Sequence, residues 1–103
     1  MNIPYGRQSI EEEDIQAVIE VMRSDFLTTG PKVSEFERCV AEYVGAKYAV
    51  AVSNGTAALH CACHAAGITE GDEVITTSIT FAASANCVLY CGGTPVFADI
   101  DPI

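Results

Sequence analysis

At 103 residues, half of them hydrophobic, the chain has the length of at most one compact domain with a modest core and is too apolar for a disordered protein. Its formal net charge of -9 disfavours nucleic acid and anionic membranes as partners, because both attract basic surfaces. The polar N-terminus has no apolar signal segment, and no uninterrupted apolar run approaches the roughly 20 residues that cross a bilayer. We therefore expect a cytoplasmic protein.

Two amphipathic helices are predicted in the first half of the chain. Ser9 and Glu12 have the spacing of a capping box, and apolar residues at helical spacing continue the first helix to about Arg23. Pro31 suits the first turn of a second helix, which the helix-stopping Gly45 ends. The loop between these helices carries apolar and hydroxyl side chains that read as exposed.

From residue 48 onward the pattern changes to alternating strands and helices. Strands are predicted over residues 48–52, 73–77 and 94–98, and helices over residues 56–66 and 81–90. This alternation predicts an α/β fold with a parallel sheet and right-handed crossovers. Because the chain leaves its last strand without a closing element, we expect it to be the front part of a larger protein.

Five cysteines fall in or beside predicted helices, and in a reducing compartment we expect them to be small, buried apolar residues. The run from His60 to His64 also concentrates two imidazoles and two thiols, which are zinc-type ligands. No second ligand pair with zinc spacing occurs in the chain, so we expect these side chains to pack on a helix flank and predict no metal site. The cysteines are Cys39, Cys61, Cys63, Cys87 and Cys91.

The strand-to-helix turn after Val52 is typical of a phosphate site. Gly55 and Thr56 place a flexible backbone and a hydroxyl at a helix N-terminus, where unpaired N–H groups and the helix dipole favour an anion. An ordinary turn with a capping threonine gives the same pattern, so these residues alone leave both interpretations open. Phe81 lies at the next such corner, either as a core aromatic or as a platform for a flat ring.

Several short segments occur together in an order and spacing that resemble one family. They are Ile3–Gly6, Phe26–Pro31, Phe36–Glu37, Ser53–Leu59, Thr80–Asn86 and Asp99–Pro102. Together they resemble the DegT/StrS nucleotide-sugar aminotransferases, over essentially the whole chain. Within that family, the start of the chain and the loop before Pro31 are most similar to the transaminases of pseudaminic acid biosynthesis.

The resemblance implies an α/β fold that is the N-terminal part of the large domain of a fold-type-I, pyridoxal-phosphate-dependent aminotransferase. Its parallel-type sheet with flanking helices would be incomplete within residues 1–103. Residues 1–30 would form an N-terminal helix and a substrate loop, and residues 31–103 a helix followed by alternating strands and helices.

The resemblance also implies roles for individual residues. Gly55 and Thr56 correspond to the residues that hold the cofactor phosphate, and Phe81 to the aromatic that stacks on the pyridine ring. A further set corresponds to positions that approach the sugar nucleotide in the family. This set is Tyr5, Asp25, Phe26, Leu27 and Thr28. On the residues alone, the loop is nearly as well explained as a helix–helix connection with Leu27 in the core.

Pyridoxal 5'-phosphate is the cofactor that the resemblance implies. The implied reaction transfers an amino group, with glutamate as donor, to a keto-deoxy nucleotide sugar of the UDP-4-keto-6-deoxy-N-acetylhexosamine type, in a homodimer. The lysine that binds the cofactor and the aspartate that pairs with its ring nitrogen lie beyond residue 103 in this family. Lys32 and Lys47 do not match that lysine, and Asp99 and Asp101 come too early for that aspartate. We therefore assign no catalytic residue and expect these 103 residues alone to be inactive.

Two other functions remain open. A non-catalytic module that binds a phosphate ligand fits the missing lysine and aspartate, although the unfinished sheet would leave an apolar edge and face exposed. A Rossmann-type dinucleotide enzyme is disfavoured, because no G-x-G-x-x-G motif follows the strand that ends at Val52.

Overall fold

The computed structural model describes residues 6–101, which form four helices and two strands. By chain contacts they divide into two compact units, up to Ala49 and from Val50 onward, and each unit is described by itself. No helix in the described range is long and apolar enough to cross a membrane. The elements are α1 (Glu12–Arg23), α2 (Pro31–Val44), α3 (Gly55–Ala65), β1 (Glu73–Thr77), α4 (Ala83–Tyr90) and β2 (Thr94–Ala98).

The α1 helix has a different cap from the predicted one. Glu11 is the N-cap, and its backbone N–H donates to Asp14 Oδ2 at 2.9 Å. The predicted pairing of Ser9 with Glu12 is therefore wrong, because Glu11 and Asp14 have the same three-residue spacing two positions later. Acids in this first turn also complement the positive end of the helix dipole. The predicted end at Arg23 is confirmed.

The α2 helix has the predicted bounds. Pro31 begins it, and Gly45 ends it with a left-handed φ of 68°, a conformation that favours glycine. On its surface, Arg38 Nη1 and Glu42 Oε1 form an ion pair at 2.9 Å, one helical turn apart. Among the described residues of this unit only Ala41 is buried, so the apolar faces of α1 and α2 remain largely exposed.

The second unit is a parallel β–α–β arrangement. β1 and β2 have the predicted bounds and pair in parallel, from Glu73 opposite Thr94 to Thr77 opposite Ala98. The α4 crossover packs on both strands and on α3, and supplies the buried side chains. The predicted α/β fold class with a parallel-type sheet is confirmed. The buried side chains of α4 are Ala83, Cys87 and Val88.

Three sequence predictions need correction. Residues 48–52 form no strand, because in the described range the only ladder is β1–β2 and a strand needs a hydrogen-bonded partner as well as apolar residues. The last helix begins at Ala83 rather than at residue 81. The expectation of buried cysteines holds only for Cys87. Cys63 and Cys91 are half-buried, and Cys39 and Cys61 are exposed.

Among the glycines of the second unit, Gly93 leaves the least room for a side chain, and this carries a stability prediction. A Cβ added there would lie 2.9 Å from Ile68 Cγ2 and 3.0 Å from Val88 Cγ1. We expect Gly93→Ala to lower the free energy of unfolding by about 1–3 kcal/mol, because extra volume in a packed core forces its neighbours apart. Chemical denaturation of the full-length protein measures the change. Gly6→Ala is the control, since its Cβ would meet no atom within 4 Å. Equal stability of the two variants would contradict the packing described.

Candidate anion and substrate site

The start of α3 is capped by an asparagine, not by a threonine. Asn54 is the N-cap, and its Oδ1 accepts a hydrogen bond from the Ala57 N–H at 2.9 Å. Its Nδ2 donates to Ser53 Oγ at 3.2 Å, which fixes the orientation of the amide. Thr56 therefore lies inside the first turn, and the interpretation of this threonine as the cap is wrong.

Two amides and one hydroxyl at the start of α3 remain available to a ligand. Within residues 6–101, the backbone N–H groups of Gly55 and Thr56 and the Thr56 hydroxyl have no hydrogen-bond partner. A Cβ added at Gly55 would meet no atom within 4 Å, so the space beside the helix start is open. Unpaired N–H groups at the positive end of an eleven-residue helix match the acceptor oxygens and the charge of a phosphate.

The second unit has no lysine or arginine side chain that could attract an anion, so any such attraction must come from backbone groups. After Lys47 the sequence contains no lysine or arginine, whereas acids occur near both strands. The positive potential at the start of α3 therefore comes from the helix dipole, equivalent to about half a charge, and from the two amides. The acids are Glu70, Asp72, Glu73, Asp99 and Asp101.

Phe81 lies in the loop that leaves the carboxyl end of β1. Because β1 and β2 are parallel and Thr77 pairs with Ala98, the segments that follow both strands leave from one edge of the sheet. Ligands of open α/β sheets bind at this kind of edge. The Phe81 side chain is 74% exposed, so among the described residues it is not a core aromatic and its ring is accessible. The three candidate cofactor residues thus belong to one compact unit. Gly55 and Thr56 begin α3, Phe81 lies just before the start of α4, and these two helices pack together.

The loop between α1 and α2 forms one wall of a pocket in the first unit. The pocket has a volume of about 190 Å³ and is lined by Phe26 and Leu27, together with residues from the end of α1 and the start of α2. Neither Asp25 nor Thr28 lines it. Leu27 is 68% exposed, so the described residues do not support its interpretation as a core anchor. Tyr5 lies outside the described residues.

The backbone of this loop is held in a tight shape that sequence reasoning did not anticipate. The Phe26 N–H donates to Ser24 Oγ at 3.2 Å. Thr29 has a φ of 51°, which is unfavourable for a β-branched residue. A Cβ at Gly30 would lie 2.8 Å from the Phe26 Cβ. The backbone at Gly30 therefore approaches Phe26 so closely that only glycine fits there. The Gly30-Pro31 pair was the available signal in the sequence, whereas nothing marked the strain at Thr29.

The run from His60 to His64 does not form a metal site within the described residues, which contain no group of three suitable ligands. His60 lies against Tyr90, with ring centroids 5.3 Å apart and the planes tilted by 60°. This contact joins α3 to the end of α4, in line with the expected packing on a helix flank.

Comparison with known proteins identifies the wider setting of these features. The family model described as the DegT/DnrJ/EryC1/StrS aminotransferase family matches residues 8–103. The spore coat polysaccharide biosynthesis protein SpsC of Bacillus subtilis is 52% identical over 99 residues, which are 96% of this chain and 25% of SpsC.

Two solved structures superpose with a TM-score of 0.84. Spr1654 of Streptococcus pneumoniae, described as a sugar aminotransferase and solved in its PLP form, is 37% identical, over 98% of this chain and 26% of that one. Helicobacter pylori PseC, an aminotransferase of pseudaminic acid biosynthesis, is 38% identical, over 95% of this chain and 27% of that one. The chain thus spans about a quarter of the length of these relatives.

The double role of Asn54, as helix cap and as neighbour of the open amides, can be tested with two variants. Asn54→Ala removes the acceptor for the Ala57 N–H, and we expect it to lower the free energy of unfolding by about 0.5–2 kcal/mol. Asn54→Asp keeps an acceptor, so stability is retained, but its negative charge weakens binding of inorganic phosphate roughly tenfold or more. Thermal unfolding and phosphate titration of the full-length protein measure the two effects. Unchanged phosphate affinity in Asn54→Asp would mean that no anion binds at this helix start.

Proposed function

Since the chain belongs to the DegT/DnrJ/EryC1/StrS aminotransferase family, we propose that the full-length protein is a pyridoxal-phosphate-dependent aminotransferase that acts on a nucleotide sugar. The observation that carries the proposal is the start of α3. There the amides of Gly55 and Thr56 and the Thr56 hydroxyl have no partner within residues 6–101, beside open space. The donor set fits the phosphate of pyridoxal phosphate.

In the proposed site, Gly55 and Thr56 bind the cofactor phosphate and so anchor one end of the cofactor. The absence of a side chain at Gly55 lets phosphate oxygens approach the backbone, and the Thr56 hydroxyl adds a third donor. Asn54 occupies the Ala57 N–H, so the phosphate receives the two amides that precede it. Because Asn54 binds the Ala57 N–H and the phosphate binds the Gly55 and Thr56 N–H groups, the position of the phosphate along the helix axis is fixed.

Phe81 orients the ring of the cofactor in this proposal. Its side chain is exposed at the carboxyl edge of the sheet, where it offers a flat apolar surface. Stacking on such a surface contributes roughly 0.5–1.5 kcal/mol beyond area burial, with aromatic pairs as a guide. When bound, pyridoxal phosphate supplies an electron sink that allows an amino group to be exchanged between two carbon skeletons.

The loop between α1 and α2 is the proposed contact for the nucleotide sugar. Phe26 and Leu27 line its pocket and can cover an apolar part of the sugar, while Asp25 and Thr28 offer polar groups on the same loop. We include Tyr5 in this set on the family resemblance alone. On the family resemblance, the proposed substrate is a UDP-4-keto-6-deoxy-N-acetylhexosamine with glutamate as amino donor. The similarity to PseC supports a role in sugar biosynthesis, since PseC is an aminotransferase of pseudaminic acid biosynthesis. We further propose that the full-length protein is a cytoplasmic homodimer.

The most direct test of the enzymatic proposal uses the full-length protein. After incubation with pyridoxal phosphate and reduction with borohydride, intact mass should show one cofactor attached, and peptide mapping should place it on a lysine other than Lys32 and Lys47. The same preparation should transfer the amino group of glutamate to the keto sugar nucleotide and release 2-oxoglutarate. A protein that binds the cofactor phosphate but forms no adduct and transfers no amino group would instead be a phosphate-ligand-binding module.

The Thr56 hydroxyl has a separate test. Thr56→Val removes the hydroxyl at nearly constant volume, and Thr56→Ser keeps it as a matched control. A hydrogen bond to a charged group contributes about 1.5–3 kcal/mol, so we expect Thr56→Val to weaken pyridoxal phosphate binding about 10- to 100-fold. Thr56→Ser should stay within a few-fold of the unaltered protein. Equal affinities of the Val and Ser variants would remove Thr56 from the phosphate site.

A further inference from the structure

Ser24 connects the end of α1 to the loop that follows it. Its backbone N–H donates to the Val21 carbonyl at 3.1 Å, and its hydroxyl donates to the same carbonyl at 2.8 Å. The hydroxyl oxygen also accepts a hydrogen bond from the Phe26 N–H at 3.2 Å. Because a hydroxyl has one proton and two lone pairs, it can make both bonds at once. One side chain therefore joins the last turn of α1 to Phe26.

The other end of the loop lies close to the same phenylalanine. A Cβ added at Gly30 would lie 2.8 Å from the Phe26 Cβ and 3.1 Å from the Phe26 carbonyl oxygen. Between these two residues, Thr29 has a left-handed φ of 51°, and its Oγ1 donates to the Thr28 carbonyl at 2.7 Å. A β-branched residue keeps such a backbone only where its surroundings impose it. The bonds of Ser24 and the close approach of Gly30 to Phe26 are the contacts that impose it here.

This loop shape forms the pocket at the junction of α1 and α2. The volume of the pocket, about 190 Å³, is smaller than the roughly 300–1,000 Å³ of sites that enclose a whole small-molecule ligand. The pocket therefore fits one part of a nucleotide sugar, and that part fits only while the loop keeps its shape. The loop residues that line the pocket are Ser24, Phe26, Leu27, Thr29 and Gly30.

We propose that Ser24 is a positioning residue for the nucleotide sugar, because its hydroxyl holds the loop in the shape that forms the pocket before the ligand binds. The inference rests on the proposed function, since the nucleotide sugar is the ligand. Ser24 is not among the residues that the family resemblance assigns to substrate contact, and its effect passes through the position of Phe26. Ordering a loop during binding lowers affinity, so a loop that is already ordered binds its ligand more tightly.

The hydroxyl can be removed and restored by substitution. Ser24→Ala removes the donor to the Val21 carbonyl and the acceptor for the Phe26 N–H. The backbone at Thr29 can then relax, and the loop has the binding shape for only a fraction of the time. Since apparent affinity falls in proportion to that fraction, we expect about 3- to 30-fold weaker binding of a nucleotide sugar. Ser24→Thr keeps the hydroxyl and should bind within about two-fold of the unaltered protein. Ser34→Ala is the matched control, because Ser34 is exposed on α2 and does not line the pocket.

The test uses the full-length protein and UDP-N-acetylglucosamine, a nucleotide sugar that has no keto group and so cannot accept an amino group. Isothermal titration calorimetry measures its binding to the unaltered protein and to the three variants. Amide hydrogen exchange of the peptide that covers residues 24–30 should be faster in Ser24→Ala, because the Phe26 N–H loses its acceptor. In steady-state kinetics, the KM for the keto sugar nucleotide should rise in Ser24→Ala, whereas kcat should change little.

The outcomes separate a positioning role from a merely structural one. Weaker binding of the probe and faster exchange in Ser24→Ala, both reversed in Ser24→Thr, with pyridoxal phosphate affinity unchanged, support the inference. Equal loss of probe and pyridoxal phosphate affinity would indicate general destabilisation and overturn it.

The inference can also fail separately from the proposed function. If the unaltered protein transfers amino groups and Ser24→Ala binds the probe as tightly as it does, the inference alone is overturned. If the unaltered protein neither binds the probe nor transfers an amino group, the proposed function fails together with it.

Discussion

The packing of α4 against the parallel pair β1–β2 is the interaction on which the second unit depends. Val88, on the buried face of this helix, is 1% exposed, and a Cβ added at Gly93 would lie only 3.0 Å from Val88 Cγ1. Because α4 also packs on α3, this single helix links α3 to the corner that carries Phe81. Changes in the small core under α4 should therefore reach the site without touching any of its donors.

The elements that were predicted well are those whose signals are local. Pro31 and Gly45 bound α2 through fixed backbone preferences, and β1 and β2 contain the β-branched residues that favour strands. The prediction of a strand over residues 48–52 was wrong because apolar composition gives only propensity. A strand also needs a ladder of hydrogen bonds, and the sheet of the described residues consists of β1 and β2. Composition likewise could not decide which cysteines are buried, since that depends on which helix faces meet.

The sequence indicated the type of candidate site but not the hydrogen bonds at the start of α3. A glycine and a threonine at a helix start indicated an anion, yet only the structure shows that Asn54 occupies the Ala57 N–H and leaves the two preceding amides available. A hydroxyl or amide side chain within a few residues of a helix start can cap it, so sequence alone could not assign that role. The strain at Thr29 was also hidden, because a positive φ is not expected of a β-branched residue.

A crystal structure of the full-length protein with pyridoxal phosphate tests the central claim most directly, namely that the start of α3 binds the cofactor phosphate. The account predicts phosphate oxygens within about 3 Å of the Gly55 and Thr56 nitrogens and of Thr56 Oγ1, with the Asn54–Ala57 hydrogen bond intact. A phosphate bound elsewhere, with water molecules on these amides, would contradict it.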